Sequence, residues 1–107
     1  MTEIRLLYGT DGRLCGYDVS GHAGAGTAGN DLVCAAVSFL ATTCANALES
    51  VAAVKPRVQR ADGKLTVALP RSELTREALV ILGTFRQGAK DLVDAYPRNV
   101  RLIDQAL

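Results

Sequence analysis

The sequence predicts a single α+β domain over residues 1–107, built in two layers from a mostly antiparallel sheet and two helices in the order ββαββα(β). Two observations support this fold class. Two pairs of strand-like segments are each joined by an Asp-Gly dipeptide, which is typical of tight hairpin turns. Each pair is followed by a longer segment whose composition or apolar spacing favours a helix.

The first strand is predicted from about Ile4 to Tyr8 and the second from about Leu14 to Ser20, with the turn at Asp11-Gly12. The next segment, Gly21 to Asn30, contains four glycines and no long side chain except His22. This composition predicts a mobile loop that can approach a ligand closely.

The first helix is predicted to begin near Asn30 or Asp31, with Asn30 as N-cap, and to run to about Ala53, before Lys55-Pro56. Seventeen uncharged residues lie between Asp31 and Glu49, fewer than the roughly 20 that a membrane-spanning helix needs, and they include polar side chains. We therefore expect a buried helix. Because its first half is apolar almost all round, it needs cover on more than one side, which favours a homodimer.

The second half repeats the pattern. Strands are predicted at Arg57–Arg60 and Lys64–Leu69 around Asp62-Gly63, and Ser72 is the candidate N-cap of a second helix that ends near Ala95. A short last strand is predicted from Val100 to Ile103. The apolar stripe of the second helix has amphipathic spacing: Leu74, Ala78, Ile81, Leu82, Phe85, Ala89 and Leu92.

Composition excludes several function classes. The 12 basic and 11 acidic residues give a net charge of +1 and form no basic stripe, so neither direct nucleic-acid binding nor membrane binding is expected. The N-terminal residues lack the pattern of a secretory signal. Three cysteines, Cys15, Cys34 and Cys44, lie in apolar surroundings, which favours a reducing compartment and a cytoplasmic protein.

His22 and Cys34 are the candidate catalytic pair. Cys34 lies about one turn into the predicted helix, where the helix dipole and free amide groups favour a thiolate. His22 lies at the other end of the glycine-rich loop, which can fold back and bring imidazole to the thiol as general acid and base in acyl transfer. Backbone amides of the first turn or of the loop could stabilise the oxyanion. A buried structural cysteine and a surface histidine are the alternatives.

Two further side chains belong to this stretch. Ser38 lies one turn beyond Cys34 and could bind the thiolate or the substrate, or bond back to a helix carbonyl. Asp31 shares a helix face with Cys34, but a carboxylate there would oppose thiolate formation, and an acidic residue suits a first helical turn without any catalytic role.

The segment Gly24–Gly29 also reads G-x-G-x-x-G, the pattern of a dinucleotide-binding loop. Its context is wrong, because the next predicted strand is basic and turns directly into a hairpin instead of entering a parallel βαβ unit. Nucleotide binding is therefore a distant alternative. With one histidine and no Cys-x-x-Cys, the chain offers no metal-ligand set, and no cofactor is expected.

The blocks Gly21-His22-Ala23 and Gly29-Asn30-Asp31-Leu32-Val33-Cys34-Ala35-Ala36-Val37-Ser38 resemble the signature of the bacterial ribosomal-processing cysteine protease family, Prp. The resemblance continues to the closing segment, which begins at Tyr96-Pro97. It therefore covers essentially the whole chain.

The resemblance implies a small cytoplasmic homodimeric endopeptidase whose substrate is an N-terminal extension on a large-subunit ribosomal protein. It matches Cys34 to the nucleophile and His22 to the base. Four other residues match motif positions without an assigned role: Gly21, Gly29, Asp31 and Ser38. The loop from Ala23 to Ala28 is expected to close over substrate as a lid. A non-catalytic ribosome-associated binding module of the same fold is the main alternative.

Overall fold

The computed structural model describes residues 1–21 and 28–107, and its elements follow the predicted order. The five strands and two helices have the following bounds: β1 Thr2–Tyr8, β2 Leu14–Ser20, α1 Ala28–Ser50, β3 Arg57–Ala61, β4 Lys64–Ala68, α2 Arg76–Ala95 and β5 Val100–Ala106. The two predicted Asp-Gly turns form as expected, since Gly12 and Gly63 adopt positive φ values of 80° and 70°. The α+β prediction is confirmed.

The sheet has the strand order β3-β4-β2-β1-β5. The two hairpins meet at its centre, where β2 pairs antiparallel with β4, and β5 extends the sheet by pairing parallel with β1. The sheet is therefore mostly antiparallel, as predicted. The helix after β2 leads to an edge strand, β3, and not to a parallel neighbour of β2, so the βαβ context of a dinucleotide-binding loop does not form.

The core lies between the sheet and the two helices. From α2 it takes Ala78, Leu82, Phe85 and Ala89, four members of the predicted apolar stripe. From α1 it takes one face: Val33, Val37, Ala41, Cys44, Ala45 and Leu48. The segment Leu32–Ser50 has the length and hydropathy of a membrane-spanning helix, but this face packs against the sheet and α2, as expected for a core helix.

Tyr17 links the two helices to the sheet. Its ring stacks on Phe85 of α2 with ring centroids 3.6 Å apart, and its hydroxyl donates a hydrogen bond of 2.7 Å to the carbonyl oxygen of Ala41 in α1. Burial raises the pKa of this hydroxyl well above its ordinary value, and the Arg60 guanidinium opposes the shift only weakly. The tyrosine therefore stays protonated and fixes α1 above β2.

Two predicted helix starts were wrong. Because α1 begins at Ala28, Asn30 lies within the first turn and is not the N-cap. Ser72 does not cap α2, because Arg71–Glu73 forms a separate 3-10 turn. Thr75 is the N-cap, and its side chain accepts a hydrogen bond of 3.2 Å from the amide of Ala78.

Two other elements end at residues that differ from the predicted ones. The first helix ends at Ser50, three residues before the predicted Ala53, which takes a positive φ of 56°. The strand β5 continues past Ile103 to Ala106, because parallel pairing with β1 satisfies its backbone despite its polar side chains.

Candidate active site

Cys34 lies on the flank of α1 and is half-buried. Since the helix begins at Ala28, the cysteine falls in its second turn and not in its first. The influence of a helix dipole falls off within the first turn, so the dipole supports a thiolate here less than the sequence suggested. A different contact involves the sulfur: the hydroxyl of Thr2, at the start of β1, lies 3.9 Å from Cys34 Sγ.

The thiol borders a groove of about 370 Å³ between α1 and the sheet. The α1 side of the groove is formed by Cys34, Ser38, Ala41 and Thr42. The opposite side is formed by strand and turn residues, namely Val19, Gly21, Arg60, Gly63 and Leu65. The groove therefore extends from the start of α1 across β2 and β4 towards the edge strand β3.

The lining of the groove combines an apolar base with polar walls. Val19, Ala41 and Leu65 supply apolar surface, while Ser38 and Thr42 offer hydroxyl groups along the helix. Arg60 is exposed and adds a guanidinium, which can donate hydrogen bonds to carbonyl or carboxylate oxygens. Such a lining suits an extended peptide, whose side chains need apolar contacts and whose main chain needs hydrogen bonds.

Gly21 fixes the point at which the chain leaves β2 beside this groove. Its amide donates a hydrogen bond of 3.1 Å to the carbonyl oxygen of Gly63, and its φ is 100°. A Cβ at this position would lie 2.5 Å from the carbonyl oxygen of Met1. Only glycine fits such a conformation and such a close approach. The position therefore fixes the end of β2 at the mouth of the groove.

The other two cysteines are buried away from the groove. Burial raises the pKa of the Cys44 thiol, and burial together with the nearby Asp11 carboxylate raises that of Cys15. The Cys15 thiol also donates to the carbonyl oxygen of Leu7 at 3.4 Å. Both have the properties of structural thiols.

The predicted site residues divide into two groups. The structure places Cys34 and Ser38 on one wall of the groove and Gly21 at its edge. His22 and the loop residues up to Thr27 lie outside the described residues. Gly29 and Asp31 belong to the first turn of α1, and the side chain of Asp31 lies outside the described part of the chain.

Two residues near the site were not anticipated from the sequence, Thr2 and Arg60. The burial of Thr2 could have been predicted, because it lies on the same face of β1 as Ile4 and Leu6, and that face enters the core. The position of Arg60 beside the groove could not, because a basic residue in an exposed edge strand is common.

The family model described as cysteine protease Prp matches residues 1–101. No curated protein sequence matches the chain.

Solved structures share the fold. SMU.848 from Streptococcus mutans is 28% identical with a TM-score of 0.85, and the match covers 100% of this chain and 96% of that protein. The ribosomal processing protease Prp from S. aureus, solved in complex with a substrate peptide, is 23% identical with a TM-score of 0.88. That match covers 98% of this chain and 100% of the S. aureus chain. A second S. aureus structure, with a covalently linked product peptide, is 24% identical with a TM-score of 0.86.

Proposed function

The chain belongs to the cysteine protease Prp family, and on this basis we propose that it is a cysteine endopeptidase that removes an N-terminal extension from a large-subunit ribosomal protein. The single observation that carries the proposal is the position of Cys34, the one cysteine of the three that opens onto a peptide-sized groove. The solved S. aureus relative with a covalently linked product peptide supports the same class of chemistry.

In the proposed reaction the Cys34 thiolate attacks the carbonyl carbon of the scissile peptide bond. His22 takes the thiol proton, and backbone amides hold the oxyanion that forms on the carbonyl oxygen. The tetrahedral intermediate collapses to a thioester as the C–N bond breaks, and His22 gives its proton to the leaving amine. Water activated by His22 then hydrolyses the thioester, which releases the extension and restores the thiol.

The lining of the groove supports one orientation of the substrate. The peptide would run along α1 with an apolar side chain on Val19 and Leu65, close to the thiol. Ser38 and Thr42 would bond its main chain, and Arg60 would hold a carbonyl or carboxylate at the β3 end.

We further propose that the enzyme acts as a homodimer in the cytoplasm. Two large apolar side chains on α1, Leu32 and Phe39, are 62% and 71% exposed and lie two turns apart on the same side of the helix. A second copy could cover this side. The three cysteines are free thiols, and the proposed nucleophile needs a reducing compartment to remain so.

The test is cleavage of the ribosomal protein from the same organism, bearing its extension, followed by mass spectrometry of the products. We expect wild type to release the extension and Cys34→Ser to release none, because a serine hydroxyl is a far weaker nucleophile at neutral pH. Cys44→Ala is the matched control and should retain activity, since Cys44 lies in the core. Failure of wild type to cleave any extended ribosomal protein would favour the binding-module alternative.

A further inference from the structure

Thr2 is an unusual residue to find in the core. Its exposed fraction is 2%, and it is the one buried residue of polar type among the described parts of the chain, tyrosine and cysteine aside. A hydroxyl buried without a hydrogen-bonding partner costs about 1–3 kcal/mol. The hydroxyl of Thr2 therefore needs a partner, and its contacts identify which one.

That partner is the sulfur of Cys34, 3.9 Å from Thr2 Oγ1. The hydroxyl hydrogen can rotate, so the thiol can donate to the oxygen, whereas a thiolate can only accept from it. Thr2 is the residue at which β1 begins, and two strands, β2 and β4, lie between β1 and the edge strand β3.

The backbone around Thr2 is held on both sides. Its amide donates a hydrogen bond of 2.8 Å to the carbonyl oxygen of Asn99, and it pairs with Val100 of β5. The Cα of Thr2 also lies within 3.5 Å of the place where a Cβ on Gly21 would be. The hydroxyl is thus presented to the sulfur from a rigid strand, and a β-branched side chain restricts its rotamer further.

We propose that Thr2 is a positioning residue for the nucleophile: its hydroxyl orients Cys34 Sγ towards the groove and donates a hydrogen bond to the thiolate. This inference rests on the proposed role of Cys34. A donor to the thiolate stabilises the sulfur in one orientation, so loss of the hydroxyl is expected to slow the reaction of Cys34. The interaction is long, and we expect a several-fold effect on rate and not an all-or-none one.

The test compares Thr2→Val, which removes the hydroxyl and keeps the shape, with Thr2→Ser, which keeps the hydroxyl. The rate of Cys34 alkylation by iodoacetamide is followed from pH 5 to 10 in a Cys15→Ala, Cys44→Ala background. We expect Thr2→Val to lower the alkylation rate of Cys34 about threefold at a given pH, because the sulfur loses the hydroxyl that orients it. Thr2→Ser should restore the wild-type profile. Thr66→Val, on β4, is the matched control and should leave it unchanged.

Peptide cleavage gives the second readout. Thr2→Val should lower kcat about three- to tenfold with little change in KM, since Thr2 does not face the groove. A melting temperature that falls while the alkylation profile stays at the wild-type position would show a purely structural role and overturn the proposal. Thr2→Ala provides the same comparison if the valine variant does not fold. Because alkylation needs no substrate, this result is independent of whether the ribosomal extension is cleaved.

Discussion

The three cysteines show how the surroundings of a side chain decide its chemistry. Cys34 borders the groove, whereas Cys15 and Cys44 are buried and burial raises the pKa of both thiols. Only a thiolate reacts quickly with alkylating agents. From the sequence alone, Cys34 could be distinguished from the other two cysteines only by the glycine-rich loop that precedes it.

We therefore expect iodoacetamide to modify Cys34 stoichiometrically at pH 6–7 in the native protein while sparing Cys15 and Cys44. Peptide mapping by mass spectrometry measures the occupancy of each thiol. Guanidinium-unfolded protein is the control, in which all three should react alike. Equal inertness of all three thiols in the native state would count against catalysis.

Tyr17 makes the stability of the fold sensitive to alkaline pH. Below about pH 7.5, Tyr17, Cys15 and Cys44 are protonated in both the folded and the unfolded state. Above it, the unfolded chain loses these protons first, because the folded-state pKa values are raised, and the free energy of unfolding falls as pH rises. This fall should continue until the folded-state groups also ionise.

The variant Tyr17→Phe should be less stable by about 1 kcal/mol at pH 7, because it loses the hydrogen bond to the Ala41 carbonyl. Its further decline above pH 10 should be shallower than that of wild type, since the phenol no longer contributes. Urea unfolding at pH 7 and at pH 11 measures both effects. Equal declines in the two proteins would contradict the role given to Tyr17.

Among the secondary-structure elements, α2 contains two glycines in different environments. A Cβ at Gly83 would meet no heavy atom within 4 Å, whereas at Gly88 it would lie 2.7 Å from Leu40 Cδ1 of α1. Gly88 therefore lets the two helices approach closely, and Gly83 has no such role.

Replacing Gly83 by alanine should stabilise the protein by about 0.5–1 kcal/mol, because alanine loses less backbone entropy in a helix. Gly88→Ala should gain less or lose stability, since Leu40 must move to make room. Denaturant unfolding of the two variants measures the difference. Equal stabilisation by both would show that the helices do not meet closely at Gly88.

The elements also show what the sequence could and could not predict. The hairpins were predictable because Asp-Gly turns are local signals, and Gly12 and Gly63 adopt the required conformations. The helix starts were harder to predict. For α2, Ser72 and Thr75 are both good capping residues, and only the three-dimensional structure selects Thr75. The contact between Thr2 and Cys34 joins residues 32 positions apart, and no local pattern specifies it.

At the scale of the whole molecule, the exposed side of α1 bears on assembly. The apolar first half of this helix predicted cover on more than one side, and the fold buries one face while leaving Leu32 and Phe39 exposed. Exposed apolar residues of this size, aligned on one helix, favour contact with a second copy.

We expect sedimentation equilibrium to give about twice the chain mass of 11.3 kDa for wild type and the monomer mass for Phe39→Asp. A charge at this position would have to be buried in the dimer but not in the monomer. Val80→Asp, at a valine of α2 that is 61% exposed, is the matched control and should remain dimeric. A monomeric wild type at tens of micromolar would remove the dimer proposal.

The most direct test of the proposed function is the intact mass of the protein, acid-quenched within the first turnover on the extended ribosomal protein. We predict a transient species heavier than the free chain by the mass of the extension less one water, located at Cys34 by peptide mapping and absent in Cys34→Ala. Release of the extension by Cys34→Ala, or turnover of wild type without an adduct at Cys34 under any quench time, would contradict a thioester mechanism at this cysteine.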